Sequence, residues 1–244
     1  MLIDLFLSLL NGNGNTLLIL AEIVMVLAIV LFSLSAHEAA HAYAAKRLGD
    51  PTAYNLGRVT LNPKSHIHPM GFLSMALIGI GWAKPVPINT ANFRDPKKGM
   101  MLSSLAGPLS NLLIATVATL LVSSTNFLFA LIYNSGLLFG SVQNFFHALY
   151  MFFYYAAYLN FALAVFNLIP CPPFDGSRIF FYFMPSSWYF KVMRYEQYLA
   201  IGVLVIVLVL GRMGISPVSV VAGGLLDLVS KPFDLFYNLI LQLL

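Results

Sequence analysis

Between Leu17 and Phe32 the chain carries a single ionisable side chain, Glu22. This apolar run continues to about Lys46, and a helix needs roughly 20 mostly apolar residues to cross a bilayer. Hydrocarbon offers backbone groups no water to bond, so a run of this length can cross only with its hydrogen bonds closed internally, as a helix. Three more runs qualify: about Met100–Ser123, Phe145–Ile169 and Tyr195–Leu210. Shorter apolar pieces at Met1–Leu10, Met70–Trp82, Phe127–Gly140, Pro217–Val229 and Phe233–Leu244 are expected to span, re-enter or lie on the membrane. Only 9% of the 244 residues are charged, far below the roughly 25% of a soluble domain. The expected fold class is an all-α polytopic membrane protein, a bundle of about 4–6 transmembrane helices. It forms a single membrane-embedded domain over 1–244, with a core at about 16–180 and C-terminal helices at 195–244. The start "MLIDLFLSLL" lacks a basic region and leads into "NGNGN", so no cleavable signal is expected. Cys171 stands alone and forms no internal disulfide.

The charges orient this bundle. Lys46, Arg47, Arg58, Lys64, Lys84, Arg94, Lys97 and Lys98 fall between the first two strong runs, and Arg178, Lys191 and Arg194 between the third and fourth. Ser124 to Asn144, between the second and third, holds no charge. The positive-inside tendency makes both basic loops cytoplasmic. Within the first, "YNLGRVTLNP" (Tyr54–Pro63) and "GWAKPVPIN" (Gly81–Asn89) mix β-branched residues with Gly and Pro. They are predicted to be short strands of a small cytoplasmic-side β-sheet or hairpin. Such a sheet has an edge able to clamp an extended peptide.

The chemistry sits in "SLSAHEAAHAYAAKRLGD", Ser33 to Asp50. Positions i and i+4 share a helix face, so His37 and His41 can present two imidazoles to one metal ion. Glu38 beside them completes H-E-x-x-H, the zinc-hydrolase pattern with Glu as general base. Of five histidines and three glutamates in the chain, three fall in this one turn. At mid-membrane each ionisable group costs on the order of 2.5–3.5 kcal/mol on the insertion scale. A buried polar network between helices is the plain alternative, and the clustering favours metal. A catalytic zinc usually takes three protein ligands. Candidates for the third are His66, His68, His147, Asp50 and Asp175. His147 belongs near the outer end of its run, and "LGDP" around Asp50 reads as a helix stop. Asp175 lies in "NLIPCPPFDGSR", where prolines break a span. Irregular backbone at membrane depth is tolerated where it is packed or lines a wet cavity. Asn111, in "AGPLSN", and Asn167 are polar groups inside spans, suited to packing or to holding a substrate backbone or oxyanion. His66 and His68 are candidate accessory groups.

"HEAAH", "GPLSN" and "NLIPCPPFDG", in that order, resemble the site-2 protease family of intramembrane zinc metalloproteases. "LNPKSHIHPMG" and "GWAKPVPIN" are similar to its compact prokaryotic branch without a PDZ domain. The resemblance implies one Zn2+ held by His37, His41 and Asp175, Glu38 as catalytic base, and supporting roles for Asn111 and Asn167. It implies transmembrane-helix protein substrates, the lipid bilayer as surroundings and no nucleic-acid partner. It implies a prokaryotic inner membrane, in which the basic loops put the active site nearer the cytoplasmic side. The C-terminal segment is a candidate homodimer surface. The alternatives are a membrane metal transporter or sensor using the His/Asp site, and an aspartyl protease using Asp50 and Asp175.

Overall fold

The computed structural model describes residues 15–71, 83–135 and 140–243, with Leu5, Ser8, Leu9, Asn11 and Ser74 in addition. The expected pieces at Met1–Leu10 and Met70–Trp82 lie largely outside the described residues. The chain falls into two compact units, Met1–Ser110 and Asn111–Leu244.

In the first unit, α1 (Thr16–Arg47) is the expected run made helical. Asn15 caps it, its side chain accepting from the Leu17 N–H, which satisfies one of the donors a helix start leaves open. Gly49, at φ 113°, turns the chain out of the helix, a conformation costly for a residue with a Cβ. The short helix α2 (Thr52–Asn55) follows, with the Lys46 ammonium 3.1 Å from the centre of the Tyr54 ring. Short 3-10 turns at Pro63–Ser65 and Thr90–Asn92 are capped by the Asn62 and Asn89 side chains.

The predicted sheet is corrected here. Tyr54–Pro63 holds the end of α2, a turn at Gly57 and irregular chain. Among the described residues the pairing between the two segments' surroundings reduces to one antiparallel bridge, Ile67 with Ala83. The physical reason lies in two buried side chains that satisfy the backbone of the second segment in place of a partner strand. Asp50 accepts from Asn89 N at 2.7 Å, Asn92 Nδ2 at 2.7 Å and Thr52 N at 3.1 Å. Arg58 donates to the carbonyls of Lys84 and Pro85. Pro85 and Pro87 have no N–H to offer a ladder. Burial works against charge on Asp50, but the Thr52, Asn92 and Asn89 donors outweigh it and hold its carboxyl below the usual range.

α3 (Pro96–Asn134) begins in the first unit and ends in the second. The second unit continues with α4 (Gly140–Asn167), α5 (Asp175–Tyr182), α6 (Ser186–Met193), α7 (Glu196–Arg212) and α8 (Pro217–Leu243). Its core joins Ala115 and Ala118 of α3, Ala157 and Phe161 of α4, and Ala222 and Leu226 of α8. Small residues let helices approach closely where lipid offers no hydrophobic drive between them. Ser123 donates to Asp234 at 2.6 Å, Ser124 and Tyr237 share a 2.8 Å bond, and Tyr237 stacks on Phe127. Contacts therefore rise in number together, and α8 runs parallel to α3. Two expected C-terminal pieces are thus one helix packed in the unit, and the expected loop at Ser124–Asn144 is mostly the ends of α3 and α4.

α1, α3 and α4 are long and apolar enough to cross a membrane. The fourth expected run, α7, has 17 residues, about 26 Å of helix against roughly 30 Å of hydrocarbon. The protein is an all-α membrane protein.

Candidate metal centre

His37 and His41 sit one turn apart near the end of α1, both buried. Their Nε2 atoms stand 3.0 Å apart, and the rings meet edge to face at 4.5 Å between centroids. His41 Nδ1 lies 2.7 Å from the Ser103 carbonyl of α3. A carbonyl only accepts, so Nδ1 carries the proton and the lone pair of His41 falls on Nε2, facing His37. Metal-bound histidines are commonly oriented by such a bond from the other ring nitrogen. Two nitrogens about 2.0–2.1 Å from one tetrahedral zinc would be roughly 3.3 Å apart. The observed spacing needs a shift of a few tenths of an ångström, so this pair fits a zinc ion.

Gly107 of α3 explains how two rings fit against a neighbouring helix. A Cβ there would overlap His41 Nε2 and the Cε1 atoms of both rings. The glycine of "GPLSN" is therefore a cradle for the imidazoles. Beside it, Ser104 Oγ is buried with no hydrogen-bond partner among the described residues. Glu38 is half-buried and has no hydrogen bond or ion pair with any described residue. Its oxygens are open to take a proton, as a general base requires.

In the second unit, Asp175 opens α5 and is half-buried. A carboxylate there is favoured by the positive end of the helix dipole. The turn before it is knotted by Cys171 N to Ile169 O at 2.8 Å and Phe174 N to Cys171 O at 3.1 Å. Phe174 packs on Phe166, 4.4 Å between ring centroids. Gly176 lies so close to the Leu168 and Ile169 carbonyls that any Cβ would strike backbone. Gly176 is thus needed for close approach to the end of α4.

Asn111 is fully buried, and its Nδ2 donates to Asn160 Oδ1 at 2.8 Å. Asn160 in turn donates to Ala156 O. Asn160 was missed, although a polar group in the apolar α4 was a visible signal. Asn167 Nδ2 bonds the Leu163 carbonyl of its own helix at 3.0 Å. His66 lies in the loop network, Nε2 at 2.8 Å from the Thr60 carbonyl and Nδ1 at 3.5 Å from Arg58 Nη2. His68 Nδ1 accepts from Gly71 N at 3.4 Å. His147 lies on α4, at a cavity of the second unit. The Asp50 carboxylate is spent on backbone and side-chain donors within its loop, which removes the ground for an aspartyl pair. The Ser103 carbonyl left no trace in the sequence, because any residue supplies one.

The chain matches the model of "Peptidase family M50" over residues 25–210. It is 38% identical over 169 residues to "Putative zinc metalloprotease YwhC" of Bacillus subtilis, covering 69% of this chain and 73% of that relative. It is 35% identical over 159 residues to "Putative zinc metalloprotease Rip2" of Mycobacterium tuberculosis. There the match covers 63% of this chain and only 54% of the relative. No solved structure gives a significant match.

Proposed function

The chain belongs to peptidase family M50, the site-2 protease family, and on that premise we propose that it is an intramembrane zinc metalloendopeptidase. It hydrolyses peptide bonds within or near transmembrane segments of other membrane proteins, in regulated intramembrane proteolysis. The observation that carries this reading is the buried His37–His41 pair, its Nε2 atoms 3.0 Å apart on a helix apolar enough to cross a membrane.

In this reading Asp175, the third ligand that the resemblance of "NLIPCPPFDG" implies, completes two imidazole nitrogens and a carboxylate oxygen, a set that suits catalytic zinc. When bound, the ion supplies Lewis acidity, which lowers the pKa of water to roughly 7 and polarises a carbonyl. Glu38 takes the proton of the attacking water and passes it to the leaving amine as the C–N bond breaks. The Ser103 carbonyl holds His41 in the tautomer that binds through Nε2. Asn111, steadied by Asn160, hydrogen-bonds the substrate backbone or its developing oxyanion, with Asn167 in a similar supporting role. The site works nearer the cytoplasmic side of a prokaryotic inner membrane.

Zinc content and hydrolysis of a single-span membrane substrate test this together. Wild type should hold about one zinc per chain, and His41→Ala and Asp175→Ala should lose it. Glu38→Gln should keep zinc and lose roughly 10²–10⁴-fold in rate. Wild-type rates in Glu38→Gln would overturn the peptidase. A wild type that binds zinc and cleaves nothing would instead favour a metal transporter or sensor.

A further inference from the structure

Where α3 ends and α4 begins, their side chains bound a cavity of about 490 Å³. Three carboxamides line it, Asn126, Gln143 and Asn144, with His147 beside them and Phe129 and Phe146 as apolar wall. The two phenylalanines pack on each other across the helices, 5.9 Å between ring centroids. All four polar residues are exposed, and none hydrogen-bonds another described residue, so their donors and acceptors are open to a ligand. Each carboxamide offers two N–H donors and a carbonyl acceptor. These groups converge on one concavity shared by two helices.

Helix length and the positive-inside tendency put the cavity at the edge of the bilayer. α3 has 39 residues, about 58 Å of helix, nearly twice the roughly 30 Å of hydrocarbon. It starts among Arg94, Lys97 and Lys98, so this end emerges on the face opposite the basic loops. From Ser124 to Asn144 the chain has no Asp, Glu, Lys or Arg.

That neutrality decides the ligand class. The lining has no fixed charge to match a phosphate, a carboxylate or an ammonium group. A carboxamide has the same complement as a peptide group, one donor side and one acceptor side. Phenylalanine walls accept apolar side chains without demanding a particular one. The volume lies in the range that takes a drug-sized or short-peptide ligand.

We propose that this cavity binds an extended, uncharged stretch of the membrane-protein substrate where it leaves the bilayer on the face opposite the basic loops. The identity of the occupant rests on the peptidase reading above. A substrate tethered here is gripped through its backbone, so the site selects for an unfolded, uncharged exit segment rather than for a sequence.

The test uses the full chain in proteoliposomes with a photoreactive benzoylphenylalanine replacing Phe146. The probes are two synthetic single-span peptides, one with a short Ser/Asn/Ala extension on the far face and one without. The chain should capture the extended peptide about tenfold more than the short one. Adding Asn126→Ala, Gln143→Ala and Asn144→Ala should abolish the difference, as the loss of two or three hydrogen bonds implies. Asn126→Trp, which fills the cavity by bulk, should do the same, and an unchanged circular dichroism melt in both variants separates loss of binding from loss of fold. Equal capture of both peptides, capture unchanged in these variants, or capture of lipid alone would overturn the proposal. Capture requires no hydrolysis. A chain that captures the extended peptide and cleaves nothing keeps this site and refutes the peptidase; one that cleaves and captures both equally refutes only the site.

Discussion

At the residue scale the two glycines next to the chemistry carry more than the motif letters imply. A methyl at Gly107 has no space beside the His37 and His41 rings. Gly107→Ala should therefore displace the imidazoles and lower zinc content, as is expected of His41→Ala, while α3 keeps its helicity. Metal analysis beside circular dichroism checks this, and full zinc occupancy in Gly107→Ala would contradict it. Asp50 shows a different use of a buried carboxyl. Its folded pKa lies below the unfolded value. Its stabilisation is therefore complete above the unfolded value, near 4, and is lost as pH falls through the folded one. Thermal melts of wild type and Asp50→Asn should differ most at neutral pH and converge below about pH 4.

At the element scale the Asn111–Asn160 bond ties α3 to α4 inside an apolar core. Asn160→Leu leaves the Asn111 amide without that acceptor and should cost on the order of 1–3 kcal/mol, read as a lower melting temperature. Replacing both with Leu removes the unmet donor and should recover most of that stability. If Asn111 touches the substrate, the double variant should still cleave about 100-fold more slowly. A stable double variant with normal rates would make the pair a packing device alone. The loop after α1 teaches a related lesson. Residues 54–63 and 81–89 have strand-like composition, yet Asp50 and Arg58 take up the Asn89 N–H and the Lys84 and Pro85 carbonyls of the second segment before a partner strand can. Alternation of β-branched residues does not say which partner a carbonyl will find.

At the scale of the whole molecule, polarity sets the direction of the site. His41 lies six residues before Arg47 at the end of α1, and Ser103 seven after Pro96 at the start of α3. With His41 against Ser103 and His37 against Gly107, the end of α1 and the start of α3 run in opposite senses, with Lys46, Arg47, Lys97 and Lys98 gathered at one end of the pair. The histidines are therefore only about 9–15 Å of helix from that basic end. Reporter fusions should place residues after Arg47 in the cytoplasm and Asn134 outside it; a cytoplasmic Asn134 would invert the topology. Chelation should lower the melting temperature of wild type and leave that of His41→Ala unchanged, because a ligand that binds only the folded chain stabilises it by mass action.

The sequence alone determined the membrane as solvent, three of the four expected spans and the histidine turn. Apolar length and helical period are local properties, and "HEAAH" puts two imidazoles on one face wherever the helix lies. Charge counts were enough to suggest which end faces the cytoplasm. Only tertiary structure decided that the Ser103 carbonyl orients His41, that Gly107 must be bare, that Asn160 partners Asn111 and that no sheet forms in the described loop. Those outcomes depend on which buried donor meets which acceptor across tens of residues, and a backbone carbonyl or a missing Cβ has no signature in the chain until packing gives it a neighbour.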